Sequence, residues 1–323
     1  MPAKNQTENS EAIYAGIPAA YRPDAQGALA ADGGRGRSET NEKGGSKRNL
    51  RYPEAPDALP VSVVDNHTHL DFLDGEVKVQ AADALAAAAA VGVKGLIQVG
   101  CDVPSSEYAV KAANEFPNVL AAVAIHPNDA ARLAEHHALD EAISQIERLA
   151  ANDRVRAIGE TGLDYFRTGP EGHQAQEYSF REHLRIAVEH HKALQIHDRD
   201  AHDDVVRILK DSPLPERVVF HCFSGGAELA RICNENGWYM SFAGTVTFKN
   251  SHDLREALSL ANPELLLVET DAPFLTPHPF RGRPNASYMI PYTVRFMAEA
   301  RGVELAEFCT QLEANTQEVY GAF

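Results

Sequence analysis

From Val61 onward the chain alternates short apolar runs with longer amphipathic stretches. The runs are Val61–Val64, Gly95–Val99, Val119–Ile125, Val155–Ile158, Ala193–Ile196, Arg217–Phe220, Trp238–Phe242 and Leu265–Val268. Each is continuous rather than alternating, the pattern of a strand covered on both faces of a parallel sheet. Between and after them the spacing predicts helices near Ala81–Val91, Ser105–Phe116, Leu139–Asn152, Gln174–His190, Ala201–Leu209, Ala227–Glu235, Asp253–Leu260, Tyr288–Arg301 and Leu305–Tyr320. Repeated strand–helix units imply an α/β fold with right-handed crossovers. Eight such units in about 265 residues match a closed (β/α)₈ TIM barrel. An open doubly wound sheet would offer a Gly-rich phosphate loop after its first strand. Here the first run leads into Asp65-Asn66-His67-Thr68-His69, and the chain has no G-x-G-x-x-G or Walker loop.

Residues 1–58 show none of this periodicity. They are rich in Gly, Ser, Asn, Lys, Arg and Glu, and a segment such as Gly33–Arg51 is too poor in large apolar residues to bury a core. The expected division is a disordered N-terminal extension over 1–58 and a single catalytic barrel over 59–323.

Charge then separates the two parts. The formal net charge is -16, while residues 1–60 hold eight Lys/Arg and eight Asp/Glu, so the whole excess lies in the barrel. An acidic body argues against a protein that simply coats nucleic acid, although bound metal ions could supply positive charge locally. The four cysteines, Cys101, Cys222, Cys233 and Cys309, form no C-x-x-C pair and read as reduced, mostly buried residues. The first residues contain no apolar signal region, and the Ala-rich stretch near Ala84–Val93 is too short to span a bilayer. A cytoplasmic protein with no membrane association and no obligate protein partner is expected.

The polar residues at the run ends change the picture most. Of 14 histidines, five follow an apolar run: His67, His69, His126, His197 and His221. Glu160, Glu269 and Asp271 follow others. In a (β/α)₈ barrel the C-terminal strand ends converge on one mouth, so these residues become neighbours. One histidine at a strand end more often caps or hydrogen-bonds than ligates; the concurrence is what points to a site. The His67-x-His69 pair lies on one side of a strand, where both imidazoles can reach one ion. A lone carboxylate there often caps the next helix. Two buried carboxylates among four histidines would be costly without a compensating cation. Imidazole plus carboxylate, without thiolate, suits Zn, Mn or Mg. Six ligands, His67, His69, Glu160, His197, His221 and Asp271, exceed one structural zinc and fit two divalent ions about 3.5–4 Å apart sharing a carboxylate. Arg199, Lys249, Arg281 and Arg283 follow late strands and could recognise phosphate or carboxylate, although surface cations are common. Asp164 could orient a ligand from behind or merely cap a turn.

These residues resemble the TatD-related deoxyribonucleases, a branch of the amidohydrolase-like metal hydrolases. The similarity is carried by DNHTHLD (Asp65–Asp71), AIHPN (Ala124–Asn128), IGETGLDY (Ile158–Tyr165), QIHDRDA (Gln195–Ala201), FHCFSGG (Phe220–Gly226), GTVTFKN (Gly244–Asn250), LLLVETDAPFLTP (Leu265–Pro277) and RGRPN (Arg281–Asn285). It covers about residues 61–323 and leaves the extension without a counterpart. The resemblance implies a divalent-metal deoxyribonuclease acting on DNA, with exonuclease action expected. It places His67, His69 and Asp271 on one ion, His197 and His221 on the other, Glu160 across both, and His126 beside the substrate phosphate. Asp271 could also accept the proton of the attacking water, while His126 could stabilise charge or protonate the leaving oxygen. The alternative is a hydrolase of an amide, lactone or ester on the same barrel; several of those bridge their metals with a modified lysine where this chain has Glu160. A nucleic-acid-binding or scaffold protein with a structural metal fits the six-ligand set and the acidic body less well.

Overall fold

The computed structural model describes residues 13–23, 29–30, 36–40 and 46–323. Eight parallel strands form one sheet in chain order: β1 (Val63–Thr68), β2 (Val93–Val99), β3 (Val119–Val123), β4 (Val155–Asp164), β5 (Ala193–Arg199), β6 (Val218–Phe220), β7 (Tyr239–Phe242) and β8 (Leu266–Val268). The ring closes just past the named strands. The Asp271 N–H donates to the His67 carbonyl at 2.9 Å, and the His69 N–H donates to the Ala272 carbonyl at 2.8 Å. Deeper in the same seam, Asn66 Nδ2 donates to the Val268 carbonyl at 2.8 Å. The structure is therefore the expected (β/α)₈ barrel, with all eight strands at the apolar runs.

The helices are α1 (Ala81–Ala90), α2 (Val103–Glu115), α3 (Pro127–Glu135), α4 (Leu139–Ala150), α5 (Pro170–Glu189), α6 (His202–Lys210), α7 (Ala227–Asn236), α8 (His252–Leu260), α9 (Ile290–Arg301) and α10 (Leu305–Tyr320). Their inward faces follow from sequence spacing. In α4 the buried residues are Leu139, Ala142, Ile143, Ile146 and Ala150, one stripe at helical period. Local chemistry sets several ends: Asp102 and Ser105 form a capping box at the start of α2, and α7 and α9 stop at Gly237 and Gly302 in left-handed conformation. Helix α3 was not expected. It starts directly after His126, with Pro127 in the first turn, where a missing N–H costs nothing.

Three strands run past their apolar runs. β1 continues through Asp65-Asn66-His67-Thr68, β4 through Glu160 to Asp164, and β5 through His197-Asp198-Arg199. The extended backbone persists while the side chains turn polar, because those positions line the mouth.

The described parts of residues 1–58 contain buried groups. Ile17, Tyr21 and Tyr52 are all buried, and the Tyr21 ring meets Tyr52 and Tyr288 edge-on at centroid distances of 4.6 and 4.9 Å. Leu29–Ala30 pairs antiparallel with Val77–Lys78. The remainder of the expected extension, 1–12, 24–28, 31–35 and 41–45, lies outside the described residues.

Candidate metal centre

Glu160 is the hub of the mouth. Its Oε1 lies 2.6 Å from His197 Nδ1, 2.8 Å from His221 Nε2 and 3.5 Å from His126 Nε2. Its Oε2 lies 3.6 Å from His67 Nε2. The two oxygens thus face different histidines, an arrangement open to a carboxylate that serves two ions. Gly162 makes this approach possible. At φ +134° its place in β4 is one that L side chains rarely adopt, and an added Cβ would stand 2.1 Å from the His197 carbonyl. β4 can therefore lie against β5 where Glu160 and His197 meet.

On the other side, His67 Nε2 lies 3.3 Å from His69 Nε2, while Asp271 Oδ1 is 3.9 Å from the first and 3.5 Å from the second. Two nitrogens about 2.1 Å from one tetrahedral ion would stand about 3.4 Å apart. Asp271 has φ +53° and Cys222 φ +41°, left-handed turns that immediately follow β8 and β6 and cluster, as strained backbone often does, at a functional site.

Hydrogen bonds behind the cluster assign the lone pairs. His69 Nδ1 is 3.0 Å from the Val99 carbonyl, which can only accept, so Nδ1 carries the proton and Nε2 presents a lone pair. His221 Nδ1 is 3.1 Å from Glu269 Oε1, with the same consequence. His197 Nε2 faces Asp164 Oδ2 at 3.2 Å, leaving Nδ1 for Glu160. Asp164 in turn accepts from Asn128 Nδ2 and from the Phe166 and Arg167 amides, so it both orients a histidine and caps the turn. His126 differs. Its Nδ1 accepts from the Asn128 N–H at 3.2 Å, so the neutral ring carries its proton on Nε2, as a donor rather than a ligand.

The carboxylates and imidazoles of the mouth stabilise each other's charged forms. Burial works against ionisation of Glu160, yet His221 and His126 hold its carboxyl well below the usual range. Burial likewise opposes charge on His221, but Glu160 and Glu269 lift it well above an ordinary imidazole. Within 4.8 Å, donor atoms fall into three overlapping sets, His67/His221/Asp271, His67/His69/Glu160 and His126/Glu160/His197. This His/Glu/Asp cluster fits divalent metal. Among the described residues, buried His67 Nδ1 and Glu269 Oε2 have no hydrogen-bond partner. Beneath it, Asp65 accepts from the Thr270 N–H and hydroxyl, and burial pushes its carboxyl up to about 7.

A cleft of about 1010 Å³ opens over the cluster, lined by Glu160, His197, His221 and Asp271 together with Arg199 and Arg281. Phe166, Arg167, Phe248 and Phe274 also line it. Arg199 sits over the Phe166 ring at 4.1 Å and Arg281 over Phe248 at 4.5 Å. Two sequence candidates are not brought to this cleft. Arg283 donates to the Arg51 and Tyr52 carbonyls at 2.9 and 2.5 Å, and Lys249 is exposed outside the lining. Glu269 was visible two residues before Asp271, but its task of holding His221 emerges only from the fold. Arg167 and Phe166 follow no apolar run, so the sequence pattern does not single them out.

Barrel, mouth and donor set together define a metal-dependent hydrolase. The chain belongs to the TatD related DNase family, whose model matches residues 64–321. It is 40% identical over 264 residues to the metal-dependent hydrolase TatD of Mycobacterium tuberculosis, covering 80% of this chain and 98% of that one. It is 36% identical over 259 residues to the metal-dependent hydrolase YabD of Bacillus subtilis, covering 79% and 98%. Among solved structures, YjjV, a TatD homologue from Escherichia coli, matches with a TM-score of 0.73 at 26% identity over 80% of this chain and 97% of that one. Among the described residues no helix is long and apolar enough to cross a membrane.

Proposed function

We propose that this hydrolase cleaves phosphodiester bonds of DNA with two divalent ions, acting as an exonuclease. The observation that carries this reading is the cleft. A chain of net charge -16 gathers Arg167, Arg199 and Arg281 around its carboxylate–histidine cluster, two of them stacked on phenylalanine rings. Guanidinium groups suit phosphate, and exposed rings such as Phe166, 59% accessible, suit unstacked bases.

In this scheme His67, His69 and Asp271 would hold one ion, His197 and His221 would hold the other, and Glu160 would serve both; Mg, Mn and Zn all suit such a donor set. Bound ions would supply charge neutralisation for the phosphodiester and lower the pKa of water. The protein's own groups do the rest. Asp271 takes up the proton of the attacking water, and His126, with its Nε2–H directed into the site, donates to the developing charge or the leaving oxygen. Arg199 and Arg281 hold neighbouring phosphates. Lys249 and Arg283 have no task in this scheme.

The test incubates metal-stripped full-length protein with 5′-labelled single-stranded and duplex DNA, adding Mg²⁺, Mn²⁺ or Zn²⁺ in turn. Metal-dependent cutting is expected, with a stepwise product ladder, and Glu160→Ala should reduce it by more than about 100-fold. Full activity after exhaustive EDTA treatment would sink the scheme. No cutting by metal-loaded protein would favour an amide, lactone or ester substrate on the same ligands.

A further inference from the structure

The cleft has a wall that lies outside the family match. Gly36, Arg37, Ser38, Thr40 and Arg48 line the same cavity as Glu160 and Asp271, whereas the match begins at residue 64. These residues are anchored rather than merely adjacent. The Arg37 N–H donates to the Leu73 carbonyl at 3.1 Å, and Thr40 forms an antiparallel bridge with Lys47. Arg48, 9% exposed, donates to both carboxylate oxygens of Asp74 at 2.9 and 2.7 Å, to the Ser38 carbonyl at 2.9 Å and to the Gly282 carbonyl at 3.0 Å. Asp74 lies in the loop after β1 and Gly282 in the loop after β8. The segment therefore ties together the loops that leave the strand ends carrying His69 and Asp271.

Arg37 is the part of this wall that can recognise something. Its Nη1 donates to the Pro273 carbonyl at 2.9 Å and pairs with Asp74 Oδ2 at 3.4 Å, a carboxylate it shares with Arg48, and its guanidinium lies over the Phe274 ring at 5.1 Å. Phe274 in turn meets His69 edge-on at 6.4 Å. The cleft thus contains three arginine–phenylalanine pairs, and the arginine of the third comes from the extension. Such a pair offers one cation and one flat face, the two features that a phosphate with its attached base presents.

We infer that Gly36, Arg37, Ser38, Thr40 and Arg48 form part of the substrate cleft, with Arg37 as a specificity-determining residue that recognises a phosphate of a single-stranded polyanion beyond the reacting bond. The inference rests on the nuclease reading for its substrate class, not for its geometry. The extension contributes binding, not chemistry: it touches the substrate away from the bond that breaks.

Two measurements separate this inference from the nuclease reading. The first is fluorescence-anisotropy titration of a labelled single-stranded oligonucleotide with full-length protein in EDTA, where cutting cannot occur. Arg37→Ala should weaken binding roughly five- to tenfold and lower the slope of log K against log salt by about 0.7, the loss of one phosphate contact. Arg37→Lys, which keeps the charge without the planar stack, should fall between. Arg231→Ala removes an exposed arginine of α7 and should bind as the wild type does. The second is steady-state cleavage, where Arg37→Ala should raise KM more than it lowers kcat; a merely structural role would not produce that split together with a reduced salt slope. Equal binding and an equal salt slope in Arg37→Ala overturn the wall even if the enzyme cuts DNA. Arg37-dependent binding without cutting by metal-loaded protein upholds the wall and overturns the nuclease. A wild type that neither binds nor cuts the oligonucleotide overturns both.

Discussion

Glu269 never faces the cleft, yet it decides which nitrogen of His221 does. Its Oε1 accepts from His221 Nδ1 and from the Cys222 N–H at 2.8 Å, so one carboxylate sets both the tautomer and the turn that carries the ring. Glu269→Ala should leave the barrel intact and lower metal affinity about 10- to 100-fold, measured by competition with a chelating dye. Glu269→Gln retains an amide oxygen as acceptor and should lose less. The pattern of strand-end polar residues located the cluster, since His67, His69, Glu160, His197, His221 and Asp271 all converge on one mouth. It carries no trace of the Asn128 N–H reaching His126 Nδ1, the contact that sets the tautomer of the histidine kept outside that ligand set. Nor could it exclude Arg283, whose guanidinium is taken by backbone carbonyls contributed by the extension.

At the scale of elements, α5 fixes the end of β3 through a single buried histidine. His183 Nδ1 is 2.7 Å from the Ser179 carbonyl, and its Nε2 accepts from the Ile125 N–H at 3.0 Å, one residue before His126. Burial pulls the His183 pKa down from 6.5 to about 4. Between those values the unfolded chain binds the proton and the folded one does not. The stability held by the neutral ring is therefore complete above pH ~6.5 and lost as pH falls toward 4, to an extent of up to about 3 kcal/mol. Urea midpoints at pH 7 and pH 5 should differ less in His183→Gln than in the wild type, and an unchanged difference would refute the assignment. His183→Leu should cost about 1–3 kcal/mol at pH 7 by stranding the Ile125 N–H. Apolar runs placed the eight strands but ended β1, β4 and β5 too early, because the run stops where side chains turn polar while the backbone stays extended. The sequence does not set α3 apart, because His126-Pro127 reads equally as the end of a strand and as the first turn of a helix.

For the whole molecule, the acidic cluster makes the metal part of the stability. Glu160, Asp164, Glu269 and Asp271 meet in one mouth whose histidines are the compensating groups within it. Saturating metal at 100 times its Kd should add about 2.7 kcal/mol, and stripping it should lower Tm by several degrees in calorimetry, with the loss reversed on readdition. Composition described the first 58 residues only on average. Ile17, Tyr21, Tyr52 and Arg48 are few, yet each is buried against the barrel, and sparse anchors of that kind leave no periodic signal.

The closing hydrogen bonds, Asp271 N–H to His67 and His69 N–H to Ala272, join the first strand's end to a segment some 200 residues later. They also bring Asp271 to the histidine pair. During synthesis, then, the catalytic mouth is among the last things made: a nascent chain halted before β8 has its first ligands but no closed ring to hold them. Any chain ending before Asp271 therefore loses the seam and the carboxylate facing the histidine pair at one stroke.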